Sequence, residues 1–203
     1  AAVRAWICQL VAWHTPTAAA VAVASPQLES HWGWLKWLPH TESPDLDGAG
    51  PARYLATSVA DLDAMLAPVA RERAELVTTA GEVTAEGPSR THKHLLVVVD
   101  DPQASTAAVR RLAARDGVTV IVYRGAGEPD RDFTPHQREL TLLLDRSGAD
   151  AAPAIREWRD FRWSAFCAEP DLMSAEVSRN LARLLAKWDV GATGRQNSES
   201  QAV

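Results

Sequence analysis

His94-Leu95-Leu96-Val97-Val98-Val99-Asp100-Asp101 is the stretch on which the reading of the fold turns. Its apolar run includes three β-branched valines and lies between a basic patch (Arg90, His92, Lys93) and Asp-Asp-Pro. A run this short, apolar on both faces, reads as a central strand of a parallel sheet covered by helices. In open α/β sheets the carboxyl ends of the strands border the ligand crevice, which puts Asp100 and Asp101 where chemistry is usually done.

Working outward, helix and strand alternate. Val3, Trp6, Ile7, Leu10 and Val11 form one stripe at helical spacing, and the pattern stops at His14-Thr15-Pro16. Ala19-Ala20-Val21-Ala22-Val23-Ala24-Ser25 reads as a small-residue strand, and residues 27–40 hold an aromatic cluster. Residues 42–51, rich in Pro, Gly and Asp, read as a loop, and 52–56 as a short strand. Ser58 with Asp61 three residues on signals a helix start, with Leu62, Met65, Leu66 and Val69 as its apolar face and Pro68 as a kink or break. Residues 78–91 read as a loop, 104–115 as a helix ended by Gly117, and 118–123 as a second fully apolar strand. After a loop at 124–135, residues 138–145 read as an edge strand with 157–167 as its partner. Ser174 caps a last helix with Val177, Leu181, Leu184, Leu185 and Trp188 facing inward, and 190–203 is expected to be a disordered tail. The expected fold is therefore α/β over residues 1–189: three layers, a mostly parallel sheet with helices on both faces, and an antiparallel edge hairpin.

The bulk properties bound the function. A chain of 203 residues with 46% hydrophobic and 23% charged residues is an ordinary globular protein with a full-sized core. Its net charge of -5 argues against a dedicated nucleic-acid binder, whose affinity comes from neutralising phosphates. Cys8 and Cys167 have no paired spacing and read as free thiols. No apolar run approaches the length of a membrane span.

An apolar strand ending in two acids is also the Walker B pattern. There the first acid, here Asp100, holds Mg²⁺ through water, and the second, here Asp101, polarises the attacking water. The alternative is that the acids simply start a turn. A phosphate-binding G-x-x-x-x-G-K-[ST] loop does not occur in the sequence. In the nearest text, Gly191 to Ser198, Gln196 stands in place of the second Gly and Asn197 in place of the Lys. Because the chain opens inside a helix, such a loop is expected just upstream of Ala1. Eight tryptophans against three phenylalanines are unusual, and Trp32, Trp34 and Trp37 fall close together. Trp34 and Trp37 read as core, with Trp32 open; as an alternative, the three form an aromatic anchor for a neighbouring domain.

The succession ICQLVAWHTP, WGWLKWLPH, AGPARYLATSVADLDAML, HLLVVVDDP and GVTVIVY resembles the first cytosolic module of the EccC ATPases of actinobacterial type VII secretion, within the FtsK/SpoIIIE superfamily. The resemblance implies a RecA-like domain, often degenerate in its nucleotide site. It places a membrane anchor upstream and further ATPase domains downstream, at the cytoplasmic face of the membrane. The implied cofactor is Mg·ATP. The implied partners are the downstream domains and other secretion subunits in a hexamer, without nucleic acid. Asp100 matches the Mg²⁺-ordering acid, while Asp101 stands one methylene short of the family's Glu. Tyr123-Arg124 departs from the usual Thr-Gln sensor. The expectation is a secretion module with weak or absent hydrolysis; the alternative is an active Mg·ATP-hydrolysing motor for protein secretion or DNA translocation.

Overall fold

The computed structural model describes residues 1–48, 50–80, 93–123, 141–145, 154–159, 162–167 and 171–188. The expected loop at 124–135 and the tail at 190–203 lie outside the described residues, as does all but the start of the loop at 78–91. The chain forms two compact units, one holding Val3–Gly125 with Met173–Val203 and the other Ala126–Leu172.

The first unit is a three-layer α/β, RecA-like arrangement. Its four strands, β1 (Ala19–Ala24), β4 (Leu55–Ala56), β5 (His94–Val99) and β6 (Val118–Val122), run in the order β4-β1-β5-β6. All three pairings are parallel. β1 lies against β5 from Ala19 opposite His94 to Ala24 opposite Val99. Successive strand side chains point to opposite faces, so the central strands feed two cores. On one face Val21, Val23, Leu96 and Val98 pack with Ile7, Cys8 and Val11 of α1 (Ala2–Trp13) and with Trp32, Trp34, Leu35 and Leu38. On the other, Ala20, Ala22, Ala24, Leu95, Val97 and Val99 pack with Leu62 and Leu66 of α2 (Val59–Ala80) and Leu112 of α3 (Thr106–Ala113). The β5 run is apolar throughout because both of its faces are covered.

Local signals set the connections. The Ser58 hydroxyl accepts from the Asp61 N–H (3.1 Å) and donates to its carboxylate (2.7 Å), closing the start of α2. α2 continues unbroken through Pro68, which lies on its exposed side. Met65, read as core, is 40% exposed. Ser105 caps α3, and Gly117 at φ +67° turns the chain back into β6, a conformation that costs residues with a Cβ. β6 is an edge of the sheet among the described residues, and its residues are only partly buried rather than enclosed like β5.

Four expectations are corrected. Residues 42–51 are not a plain loop: β2 (Glu42–Leu46) and β3 (Pro51–Arg53) form an antiparallel arm, with Glu42 opposite Arg53 and Leu46 opposite Pro51. Its pairing is backbone-borne, so no apolar alternation announced it. The expected edge hairpin is a three-stranded antiparallel meander, β7 (Thr141–Asp145), β8 (Ala154–Arg159) and β9 (Arg162–Cys167), forming a sheet of its own within the second unit. The stretch 157–167, read as one strand, belongs to two, with Arg159 opposite Arg162. Finally, α4 (Ala175–Leu185) is capped by Ser174 as expected, but it buries Ser178 and Ala182 while Val177 (53%) and Leu184 (58%) face out. Small side chains let this helix lie close on the turn Gly33–Trp37.

His40 fixes the entry to β1. Its ring nitrogen Nε2 donates to the His14 carbonyl at 2.7 Å, tying the end of α1 to the turn Pro39–Thr41. Burial pushes the imidazole below its ordinary pKa, which keeps it neutral.

Candidate functional site

Asp100 follows directly on β5, at the carboxyl edge of the sheet, and its N–H continues the ladder to the Ala24 carbonyl (2.9 Å). That ladder places it beside Ser25, the residue after β1. The next segment, a π-helical turn at Leu28–Trp32 followed by the 3-10 turn at Gly33–Trp37, folds back over the same edge. A tight turn of this kind brings the indole of Trp32, 5% exposed, under the sheet edge. Its Nε1–H donates to Asp100 Oδ2 at 2.8 Å. The Ser25 hydroxyl donates to the same oxygen at 3.4 Å and itself accepts from the Gln27 N–H at 3.2 Å. His31 Nδ1 stands 3.6 Å from that oxygen, on the solvent side. The Asp100 side chain is only 15% exposed.

One carboxylate oxygen thus gathers an indole N–H, a hydroxyl and a histidine. A charged acceptor meeting a good N–H donor in a partly enclosed place makes a strong hydrogen bond. It also lets a tryptophan bury its ring without orphaning its N–H.

Asp101 behaves differently. Its Oδ1 accepts from the Gln103 N–H at 2.9 Å, and its carbonyl accepts from the Ala104 N–H at 3.1 Å. The side chain is folded into the turn that leads to α3. The two adjacent acids are thus engaged differently: Asp100 holds the aromatic turn, and Asp101 shapes its own.

The remaining candidates separate as well. Trp34 is 4% exposed and belongs to the core beneath α1, as the residues suggested. Trp37, also read as core, is 42% exposed, with the Arg183 guanidinium 5.5 Å above its ring. Trp32 and Trp34 are used inside the fold, and Trp37 alone of the three presents its ring at the surface. Of the sensor-like pair, Tyr123 is 48% exposed after β6, and Arg124 lies outside the described residues.

The resemblance implies Mg²⁺ with ATP, and the residues here can be tested against that. Waters on Mg²⁺ donate hydrogen bonds, yet Asp100 Oδ2 already accepts from Trp32 and Ser25. Among the described residues no group of three or more His, Cys, Asp or Glu side chains converges, but Mg²⁺ held with a nucleotide needs only one or two carboxylates beside the phosphates and waters. The bonds from Trp32 and Ser25 both reach Oδ2 and leave Oδ1 of Asp100 to accept from a water on Mg²⁺. Ser25, His31 and the role of Trp32 were not singled out by the sequence. The one signal for them was a tryptophan near a strand-terminal acid, joined by nothing closer than 68 positions.

No family model matches the chain. It is 38% identical over 195 residues to the ESX-3 secretion system protein EccC3 of Mycobacterium tuberculosis, covering 95% of this chain and 14% of that protein. It is 31% identical over 198 residues to the ESX secretion system protein EccC of Thermomonospora curvata, covering 94% of this chain and 14% of that protein. It is also 32% identical over 191 residues to the ESX-5 secretion system protein EccC5 of Mycobacterium tuberculosis, covering 91% of this chain and 13% of that protein. The chain thus spans about one-seventh of the length of these curated relatives.

Proposed function

Since the chain belongs to the EccC family of ESX secretion proteins over the segment it spans, we propose that it is a module of a type VII secretion machine that keeps the frame of a motor ATPase domain and works through contacts rather than hydrolysis. The observation that carries this reading is the engagement of Asp100 Oδ2 by the Trp32 indole N–H at 2.8 Å. The acid that would order Mg²⁺ instead fastens an aromatic turn onto the sheet edge. Asp101 supports the same reading, because its carboxylate is occupied in forming a turn.

In this role the module couples the membrane-embedded part of the machine to ATPase domains elsewhere in the full-length protein, at the cytoplasmic face of the membrane, in a ring of copies. Among the described residues no helix is long and apolar enough to cross a membrane. The net charge of -5 favours protein over nucleic-acid partners.

The test is Asp101→Asn in the full-length protein. Asparagine also closes the turn at Gln103 but cannot serve as a base. Secretion at the wild-type level is expected. Loss of secretion with the protein still folded and assembled would assign Asp101 to hydrolysis and overturn the reading.

A further inference from the structure

Among the described residues one histidine is enclosed by the fold, and the site at Asp100 does not use it. His40 is 2% exposed and lies in the 3-10 turn Pro39–Thr41, where the aromatic segment passes into the β2–β3 arm. Its two ring nitrogens stand in unlike positions. A carbonyl oxygen only accepts, so the 2.7 Å contact with the His14 carbonyl requires the proton on Nε2. In the neutral ring Nδ1 then carries a lone pair, and it is buried with no hydrogen-bond partner among the described residues.

The surroundings disfavour a second proton. The titratable and charged side chains that act on the ring are Lys93, at the entry to β5, and His14, at the end of α1, and both are basic. No carboxylate is among them; Glu42, two residues on, is engaged with Arg53 at 3.0 Å. A proton on Nδ1 would bury a charge, leave the new N–H without an acceptor and set a cation against two basic groups. The bond to the His14 carbonyl works the other way, since a charged ring donates more strongly, but burial outweighs it.

The other bonds at this junction carry no titratable group. The His14 N–H closes α1 on the Leu10 carbonyl at 3.0 Å. On the far side of the turn the Thr41 hydroxyl donates to the Leu35 and Leu38 carbonyls, at 3.1 and 2.9 Å. The Thr41 carbonyl accepts from the Tyr54 N–H at 2.8 Å, just ahead of β4. The His40 ring is the piece that joins the two sides.

We propose that His40 is an acid-released latch: neutral, it pins the end of α1 to the root of the β2–β3 arm, and protonated, it lets go while the central strands stay packed. The sign follows from where the proton binds more readily. The opened chain takes it up in the ordinary histidine range, and the closed form only at lower pH. The closed form is therefore fully favoured above that range and loses ground as pH falls through it. The inference is independent of whether Asp100 serves a nucleotide.

Two measurements on the 203-residue chain test it. Nitrogen-15 spectra of the histidine rings should show His40 with its proton on Nε2 and a bare Nδ1, still neutral at a pH where a histidine in water is charged. Amide exchange, corrected for its intrinsic pH dependence, should show the His14 and Thr41 N–H groups opening about tenfold more often at about pH 5.5 than at about pH 7.5. That opening should leave the amides of β5 protected. His40→Gln keeps an N–H donor for the His14 carbonyl and does not titrate, so the tenfold response should vanish in it. A His40 ring with its proton on Nδ1, or one that charges in the ordinary range, overturns the proposal from the wild type alone, whether or not the variant folds. Exchange at His14 and Thr41 that ignores pH, that is shared by the β5 amides, or that responds equally in His40→Gln overturns it as well.

Discussion

Trp32→Ala is expected to destabilise the chain by about 3–5 kcal/mol, the range for removing a buried aromatic side chain and leaving a cavity. Trp32 is 5% exposed and packs in the core formed by α1, the central strands and the aromatic turns. Trp32→Phe separates the ring from its N–H. Most of the apolar burial stays, but Asp100 loses the donor at 2.8 Å, and about 1–3 kcal/mol should go with it. Asp100→Asn retains an oxygen that accepts from the indole, so its own cost should be smaller than that of Trp32→Phe. In the Asp100→Asn background Trp32→Phe should cost less than it does in the wild type, a coupling of about 1 kcal/mol. Urea denaturation followed by circular dichroism gives all four corners of this cycle. Equal costs of Trp32→Phe in both backgrounds would mean that the charge of Asp100 adds nothing to this hydrogen bond beyond what a neutral amide oxygen supplies.

The second large effect concerns β5. Val97 and Val98 are neighbours in sequence, both fully buried, yet they belong to different cores. Val97→Ala and Val98→Ala should each cost about 2 kcal/mol, from two lost carbon groups and an incompletely closed cavity. Because the two side chains touch separate layers, the double variant should lose close to the sum, about 4 kcal/mol. That is a large share of the margin by which a domain is stable. Thr119→Ala on β6, at an exposed position, should change stability by no more than about 0.5 kcal/mol. A strand with one wet face would show the opposite pattern, with one valine costly and its neighbour free. Denaturation midpoints of the three single variants distinguish the two arrangements.

The layers were legible because their residues obey local rules. The aliphatic run of β5 is covered on both faces as its composition suggested, and Ser58 and Ser174 each cap a helix by accepting an N–H three residues on. What the sequence did not show depends on contacts across the chain. Trp32, Trp34 and Trp37 follow neither a helical nor a strand period, since their segment is wound in π and 3-10 turns. That left open which rings are buried, and Trp37 came out exposed. Val177 and Leu184 were placed inward by hydrophobicity, whereas close approach to the Gly33–Trp37 turn selected Ser178 and Ala182 instead. The β2–β3 arm was hidden because Pro44, Gly48, Gly50 and Pro51 read as loop, and its stability comes from Arg53 bridging to Glu42 and Leu38.

The candidate site shows the same division. The position of Asp100 at the carboxyl edge followed from the strand alone. Its partners did not, because the pairing joins β5 to a turn that is remote in sequence. The kinship with EccC proteins was legible in the succession of short motifs, and the curated relatives bear it out at 31–38% identity.

The central claim is that the two acids after β5 serve the fold and not a nucleotide. Calorimetric titration of Mg·ATP into the chain, with Asp100→Asn alongside, tests it most directly. No Mg²⁺-dependent binding is expected in the micromolar range, and none that differs between the wild type and Asp100→Asn. Micromolar binding that requires Mg²⁺ and disappears in Asp100→Asn would contradict the account.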